Sequence, residues 1–156
     1  MYSEKVIDHF RNPHNKGKLD EYSAIGKVGN IVCGDVMWLY IKVGRNANNE
    51  EIIEDISWET FGCTAAIATS SMVTELAKGK TLKEATAINN QEVAETLGGL
   101  PPIKMHCSLL AVDALSEAIY NYLQEKGDVI PESLVKRHAH IEKEHKELAE
   151  RYSDYI

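Results

Sequence analysis

The sequence predicts a single α+β domain in which a short antiparallel sheet precedes a mostly helical second half. The chain has 156 residues, a usual size for one domain. Two segments, near 36–43 and 52–59, alternate between apolar and polar residues as half-buried strands do. From residue 64 onward, apolar residues recur at helical spacing, as on one face of an amphipathic helix.

The two clear strands are predicted to form a hairpin, because a polar, asparagine-rich loop joins them. The apolar positions of the first strand are Met37, Leu39, Ile41 and Val43. In the second strand, Ile52, Ile56 and Trp58 share a face with Glu54, so that face is expected to be partly buried. A weaker strand is expected near 24–28, interrupted by glycines at 26 and 29.

Helices are predicted at 2–11, at 64–78, at two short segments after the caps Thr81 and Asn89, at 105–125 and from about Pro131. The buried stripe of the long helix is expected to contain Leu109, Val112, Leu115, Ile119 and Tyr122 or Leu123. Residues 100–104 are expected to be extended, because proline disfavours helical geometry in the residue before it.

The last helix is highly charged, with Leu134, Ile141, Leu148 and Tyr155 recurring every seven residues. Such a stripe is typical either of a surface helix packed on its own domain or of a helix that mediates self-association. We expect residues 1–127 to form the domain and residues 128–156 to extend it as a charged helix.

Composition excludes several classes of function. The chain carries 24 acidic and 17 basic residues, a net charge of −7, and an acidic surface repels phosphate backbones, so nucleic acid is not expected as a partner. No apolar run approaches the roughly 18 residues of a membrane span, so no membrane association is expected. Three widely spaced cysteines and an N-terminus without an apolar signal region favour a cytoplasmic protein.

Each of the three cysteines lies at the edge of a predicted element. Cys33 precedes a strand, Cys63 precedes a helix, and Cys107 lies in the first turn of the long helix. Unpaired amides at a helix N-terminus lower the pKa of a nearby thiol, and the resulting thiolate is the form that binds metals and attacks electrophiles. A single cysteine is more often a small buried apolar residue, but three at such positions favour a chemical role.

The donor set leaves three alternatives open. Asp35 or His106 could add a fourth ligand to the three thiolates, and tetrahedral zinc would accept that set. A cluster meant to be released would accept it too, because a carboxylate or imidazole is easier to displace than a thiolate. Spacings of 30 and 44 residues lack the close cysteine pair of structural zinc sites. A Cys–His hydrolase is disfavoured, because neighbouring helical residues point about 100° apart.

The motifs around these residues resemble those of the IscU/NifU-type scaffold proteins of iron–sulfur cluster assembly. The similarity runs from Tyr2 to about Tyr122 and includes Val6-Ile7-Asp8-His9-Phe10, Cys33-Gly34-Asp35-Val36-Met37, Thr60-Phe61-Gly62-Cys63 and Leu100-Pro101-Pro102-Ile103-Lys104-Met105-His106-Cys107-Ser108. Three cysteine motifs in the same order are specific, whereas one alone would be weak. Thr64-Ala65 departs from the family's usual Gly-Ser, and the last helix lies beyond the matching part.

The resemblance implies a compact α/β fold with a mostly three-stranded antiparallel sheet covered by helices. It also implies that Cys33, Cys63 and Cys107 hold a 2Fe-2S cluster, with Asp35 and His106 as nearby or exchangeable ligands. Zinc can occupy the same ligands in isolated proteins of this kind. The implied role is that of a scaffold and not of an enzyme.

The resemblance further implies a set of partners. A cysteine desulfurase of the IscS/NifS type delivers sulfur as a persulfide, for which Cys107 is the expected acceptor, and apo iron–sulfur proteins receive the cluster. In many bacterial members a DnaK-like chaperone grips the segment formed here by Leu100, Pro101, Pro102, Ile103 and Lys104. A homodimer or higher homo-oligomer would shield a cluster that three thiolates leave exposed. The alternative is a zinc-binding sulfur acceptor or modulator of the desulfurase.

Overall fold

The computed structural model describes residues 2–30 and 35–151. Within them the elements are α1 (Glu4–Arg11), β1 (Ala24–Asn30), β2 (Asp35–Arg45), β3 (Glu51–Phe61), α2 (Thr64–Ala77), α3 (Leu82–Thr86), α4 (Asn90–Thr96), a 3₁₀ turn (Pro102–Lys104), α5 (Met105–Lys126) and α6 (Glu132–Arg151). Cys33 lies outside the described residues.

The three strands form one antiparallel sheet in the order β1-β2-β3, which confirms the predicted sheet. Met37, Leu39 and Ile41 of β2 are at most 1% exposed. On the opposite face Trp38 and Lys42 are partly exposed, but Tyr40 is also buried, at 5%. The alternation in the sequence therefore assigned the buried face of β2 correctly.

The prediction for the start of β3 was wrong by one residue. The register shifts between β2 and β3, so that Lys42 pairs with Asp55 and Val43 pairs with Ile53. Glu54 is the extra residue of this bulge and is exposed. Because the bulge resets the alternation, Ile53 enters the core with no exposed surface, in place of the predicted Ile52.

Two helices cover one face of the sheet. α5 crosses β1 and β2, and α2 lies beside it against β3, while α1 packs on α2. The contact between α5 and β1 is unusually close, because a Cβ added at Gly26 would lie 2.1 Å from the carbonyl oxygen of Ala114. A glycine at this position is what allows the helix to approach the strand.

The predicted stripe of α5 is right except at its first position. Val112, Leu115, Ile119 and Leu123 are buried, but Leu109 is 40% exposed. The residue four positions before Val112 is Ser108, and this small side chain occupies the buried position of the first turn.

The expectation of a fully extended segment 100–104 was also wrong. Pro101 is extended, with ψ of 139°, but Pro102 begins the 3₁₀ turn that leads directly into α5. Proline is tolerated at the first helical position, because its missing amide would have no partner there and its fixed φ suits the turn.

α6 packs on its own domain, as the first of the two alternatives predicted. Leu134 and Ile141 of the seven-residue repeat are 3% and 2% exposed. Arg137 and His138 pair with two carboxylates of α5, Asp113 at 3.1 Å and Glu117 at 2.8 Å. Self-association through α6 stays a prediction. No helix in the part of the chain that the structure describes is long and apolar enough to cross a membrane.

Candidate functional site at the cysteine junctions

Two of the three predicted cysteines meet in space. The Sγ atoms of Cys63 and Cys107 lie 3.7 Å apart, although 44 residues separate them in the chain. Cys63 is the N-cap of α2 and Cys107 lies in the first turn of α5, so the packing of these two helices brings the thiols together. Asp35 begins β2 with its backbone opposite Asn30, which places it next to the segment that contains Cys33.

Two distances from the Cys107 sulfur equal those between neighbouring ligands of a tetrahedral metal ion. Metal–sulfur bonds of about 2.3 Å and metal–nitrogen bonds of about 2.05 Å place neighbouring ligand atoms about 3.8 Å apart for two sulfurs and about 3.5 Å apart for sulfur and nitrogen. The observed values are 3.7 Å between the two Sγ atoms and 3.5 Å between Cys107 Sγ and His106 Nε2. Cys107 is therefore spaced from each neighbour as one ligand is from another, but Cys63, Cys107 and His106 do not form a group of three mutually close donors in this arrangement.

His106 was predicted as a possible fourth ligand, and it lies beside the Cys107 thiol although neighbouring helical residues point apart. The imidazole turns back over the end of the helix, where its Nδ1 lies 3.1 Å from the carbonyl oxygen of Ile103. With a proton on Nδ1 donated to that oxygen, Nε2 presents its lone pair toward the thiol. This is the arrangement that fixes metal-binding histidines.

The two thiols differ in burial. Cys107 is 2% exposed, whereas Cys63 is half-buried. Small side chains, Ala65 and Ala66, pack against them, and Tyr2 and Leu100 cover this cluster from outside. The site is thus a shallow junction between helix ends and not part of the main core.

The pKa of the Cys63 thiol lies below its ordinary value. Burial opposes ionisation, but the amides of Ala66 and Ala65, the Cys107 thiol and the charge of Lys104 together outweigh it. The neutral thiol forms no capping hydrogen bond with α2, so these amides act mainly on the anion. The direction of this pKa shift is the one that the sequence predicts for a cysteine at a helix N-terminus.

Three large apolar side chains that lie within four residues of Cys63 or Cys107 in the sequence are exposed. Ile103 of the predicted chaperone segment is 80% exposed, and Phe61 and Leu109 are 59% and 40% exposed. Leu100 of the same segment instead packs against the cysteine cluster. The segment therefore has one apolar residue facing the site and another available to a partner.

Sequence reasoning missed two residues that position the site. Tyr2 contacts the cysteine cluster, and Thr69 Oγ1 lies 3.2 Å from the carbonyl oxygen of Cys107, where it links α2 to the first turn of α5. No sequence pattern marks either residue, since the groups that each one contacts lie far away in the sequence.

Comparison with known proteins shows the family of the chain. The family model described as the NifU-like N terminal domain matches residues 1–129. "Iron-sulfur cluster assembly scaffold protein IscU 1" of Archaeoglobus fulgidus is 58% identical over 129 residues, which are 83% of this chain and 81% of that protein. "Iron-sulfur cluster assembly scaffold protein IscU" of Escherichia coli K12 is 54% identical over 128 residues, covering 80% and 96%.

A solved structure shares the fold. The N-terminal part of a nitrogen-fixing NifU-like protein from Brucella abortus matches with a TM-score of 0.57 at 19% identity, over 80% of this chain and 94% of that one. The family model covers the elements from α1 to α5 that build the cysteine site and ends before α6. The chain belongs to the family of NifU-like N-terminal domains.

Proposed function

We propose that this protein is a scaffold on which an iron–sulfur cluster is assembled and from which the cluster is passed to apo-proteins. The observation that carries the proposal is the 3.7 Å approach of Cys63 and Cys107 at the ends of two helices. Relatives more than half identical to this chain are named as iron–sulfur cluster assembly scaffold proteins, which supports the same role here.

The cargo we propose is a 2Fe-2S cluster held by Cys33, Cys63 and Cys107. Asp35 and His106 are the candidate exchangeable ligands, because an oxygen or nitrogen donor binds iron less firmly than a thiolate. A site on helix ends and loops, with one half-buried thiol, suits a cluster that must leave.

Sulfur would arrive as a persulfide on a cysteine desulfurase. The Cys107 thiolate attacks the terminal sulfur, so that a new S–S bond forms while the donor's S–S bond breaks. The electron pair leaves with the donor thiolate, which takes up a proton equivalent to the one lost by Cys107. This transfer involves no net oxidation, whereas the later release of the sulfur as sulfide takes two electrons from an external reductant.

The proposed partners follow from the same surface. The desulfurase and the apo-protein acceptors must both reach the thiols, and the exposed Ile103 and Phe61 offer apolar contacts beside them. A DnaK-like chaperone that grips residues 100–104 would act on the segment leading into Cys107. A homodimer that covers the cluster is a further proposal, and the cytoplasm is the proposed compartment, because its reductants keep thiols reduced.

Anaerobic reconstitution tests the proposal. The full chain is incubated with Fe²⁺, cysteine, a cysteine desulfurase and a dithiol reductant, and then analysed for iron, acid-labile sulfide and visible absorption. We expect iron and sulfide in equal amounts, and their loss in Cys63→Ser. Protein that stays colourless and free of sulfide under these conditions would contradict the proposal.

The zinc-binding modulator remains the second candidate, since the 3.7 Å distance between the sulfurs of Cys63 and Cys107 suits two ligands of zinc as well as of iron. The same analysis distinguishes the two. A modulator would contain zinc without sulfide after purification in the absence of oxygen, and it would alter the turnover of the desulfurase without acquiring a cluster.

The identity of the sulfur acceptor needs its own experiment. Cys107→Ser and Cys63→Ser are each exposed to the desulfurase and cysteine without iron, and the added sulfur is counted by mass spectrometry. We expect the 32 Da sulfur adduct (the mass of one sulfur atom) to disappear in Cys107→Ser and to persist in Cys63→Ser. The reverse result would move the acceptor to Cys63, the more exposed thiol with the lowered pKa.

A further inference from the structure

A second group of metal-binding side chains lies away from the cysteines. His9 of α1, His14 of the following loop and Glu75 of α2 each offer a ligand atom, and these atoms all lie within 4.8 Å of one another. His14 Nδ1 contacts Glu75 Oε1 directly, and His9 Nε2 lies 3.8 Å from Glu75 Oε2. Among the residues that the structure describes, these are the three histidine, cysteine or acidic side chains whose ligand atoms all lie close enough together to hold one metal ion.

The group is separate from the cysteine site. Glu75 follows Cys63 by 12 residues along α2, so the rise of about 1.5 Å per residue places them about 18 Å apart. His9 lies in α1, which packs against α2 along its length. No single ion could contact both groups.

The buried histidine is oriented by a residue outside the donor group. Ser71 Oγ lies 2.7 Å from His9 Nδ1 and accepts the backbone N–H of His14 at 2.8 Å. A metal on Nε2 requires the proton on Nδ1, and Ser71 Oγ is placed to accept it. One hydroxyl thus holds both histidine residues in position.

Two of the donors, His9 and Glu75, border an open groove of about 710 Å³. Its lining also includes the acidic residues Glu4 and Asp8 and one basic residue, Lys5, so the carboxylates outnumber the ammonium group. The added negative charge favours a cation there, and the groove leaves space for water at an open coordination position.

A simple ion pair would be enough to explain why the exposed side chains of His14 and Glu75 lie in contact. It would not explain why His9, which is 7% exposed, turns its second nitrogen toward the same carboxylate. Two imidazoles and one carboxylate form a donor set that suits borderline transition metals, whereas Mg²⁺ and Ca²⁺ prefer oxygen ligands. Bonds of about 2.0–2.1 Å place neighbouring donors about 3.3 Å apart, so donors at the 4.8 Å limit would have to approach by about 1.5 Å.

We propose that His9, His14 and Glu75 bind a divalent transition-metal cation at a site independent of the cysteines, with an open position facing the groove. The bound ion joins α1 and its following loop to α2. Binding therefore stabilises the packing of these elements as well as retaining the metal.

The test uses the full chain with Cys33, Cys63 and Cys107 replaced by serine, so that metal binding by thiolates cannot contribute. Zn²⁺ affinity is measured by calorimetry, and the ligands are identified from the visible spectrum of bound Co²⁺. His14→Ala and Glu75→Gln change exposed side chains and should fold. The matched control is His140→Ala, because His140 is also exposed and paired with a carboxylate, at 2.8 Å from Glu144.

We expect one Zn²⁺ per chain in the serine variant and in its His140→Ala control, with a raised melting temperature. His14→Ala and Glu75→Gln should bind at least about tenfold more weakly and lose the thermal shift, and Ser71→Ala should weaken binding by about 10-fold or more. The proposal would be overturned if the serine variant bound no Zn²⁺. It would also be overturned if His14→Ala bound Zn²⁺ as tightly as the His140→Ala control does. Because the thiols are absent, either outcome is independent of cluster assembly.

Discussion

Gly26→Ala is expected to destabilise the protein, although alanine ordinarily suits a strand better than glycine. A Cβ at this position would lie 2.1 Å from Ala114 O and 2.5 Å from Ala118 N, both backbone atoms of α5. Real Cβ contacts of this kind are not closer than about 3.0–3.4 Å, so the helix would have to withdraw from β1 by about 1 Å. Backbone atoms cannot rotate away as a side-chain end can.

The magnitude follows from two opposing effects. Overpacking of this severity costs about 1–3 kcal/mol, and alanine in a strand recovers about 0.5–1 kcal/mol relative to glycine. Because the contact is with backbone, we expect a net loss of about 2 kcal/mol in the free energy of unfolding. A domain of ordinary stability, about 5–15 kcal/mol, would remain folded.

Urea unfolding followed by circular dichroism measures this loss, and Gly44→Ala is the matched control. Gly44 lies in the neighbouring strand, and a Cβ there would meet only the exposed side chain of Glu54, at 3.1 Å. We expect the control to be neutral or slightly stabilising. If the two variants unfold at the same urea concentration with equal slopes, the close approach of α5 does not constrain residue 26 and the reasoning is wrong.

Three further predictions concern α6, pH and cluster release. Ile141→Ala should reduce the free energy of unfolding, measured in urea, by about 2–4 kcal/mol, because the side chain is buried. Val135→Ala is the control at a 44% exposed position of the same helix, and it should change this free energy by less than about 0.5 kcal/mol. Burial raises the pKa of Asp113 to about 6 despite the nearby charge of Arg137. The folded state therefore binds a proton at this carboxyl group more tightly than the unfolded state does. The free energy of unfolding consequently falls as the pH rises through about 6. Asp113→Asn should therefore lose less stability than the wild type between about pH 4 and pH 6.5, and equal losses would contradict this assignment. Asp35→Ala should retain a reconstituted cluster longer, and transfer to an apo-protein at the wild-type rate would refute a role for Asp35 in release.

The sequence predicted the order and type of nearly every element, because the signals were local. Thr81 and Asn89 form the expected side-chain caps of two short helices, and Gly127 ends α5 in the left-handed conformation. Cap chemistry depends on a few neighbouring residues, so one sequence is enough to show it.

The errors arose where a distant element decides the conformation. The bulge at Glu54 depends on how β3 pairs with β2, and nothing in the local pattern of β3 gives that register. Gly26 was expected only to interrupt a weak strand, whereas its real role comes from α5, almost ninety residues later in the chain. Burial of Ser108 in place of Leu109 likewise depends on which face of α5 the sheet and α2 cover.

The same distinction separates the two candidate sites. Two of the cysteines carry a local sign of their proposed role, because Cys63 and Cys107 lie at helix N-termini, where the backbone itself alters the chemistry of a thiol. His9, His14 and Glu75 carry no such sign, since a histidine in a helix and a glutamate on another are ordinary surface residues until α1 packs on α2. Spacing in one chain can therefore indicate a site built on helix ends, but a site built between helix faces becomes visible only when the packing is known.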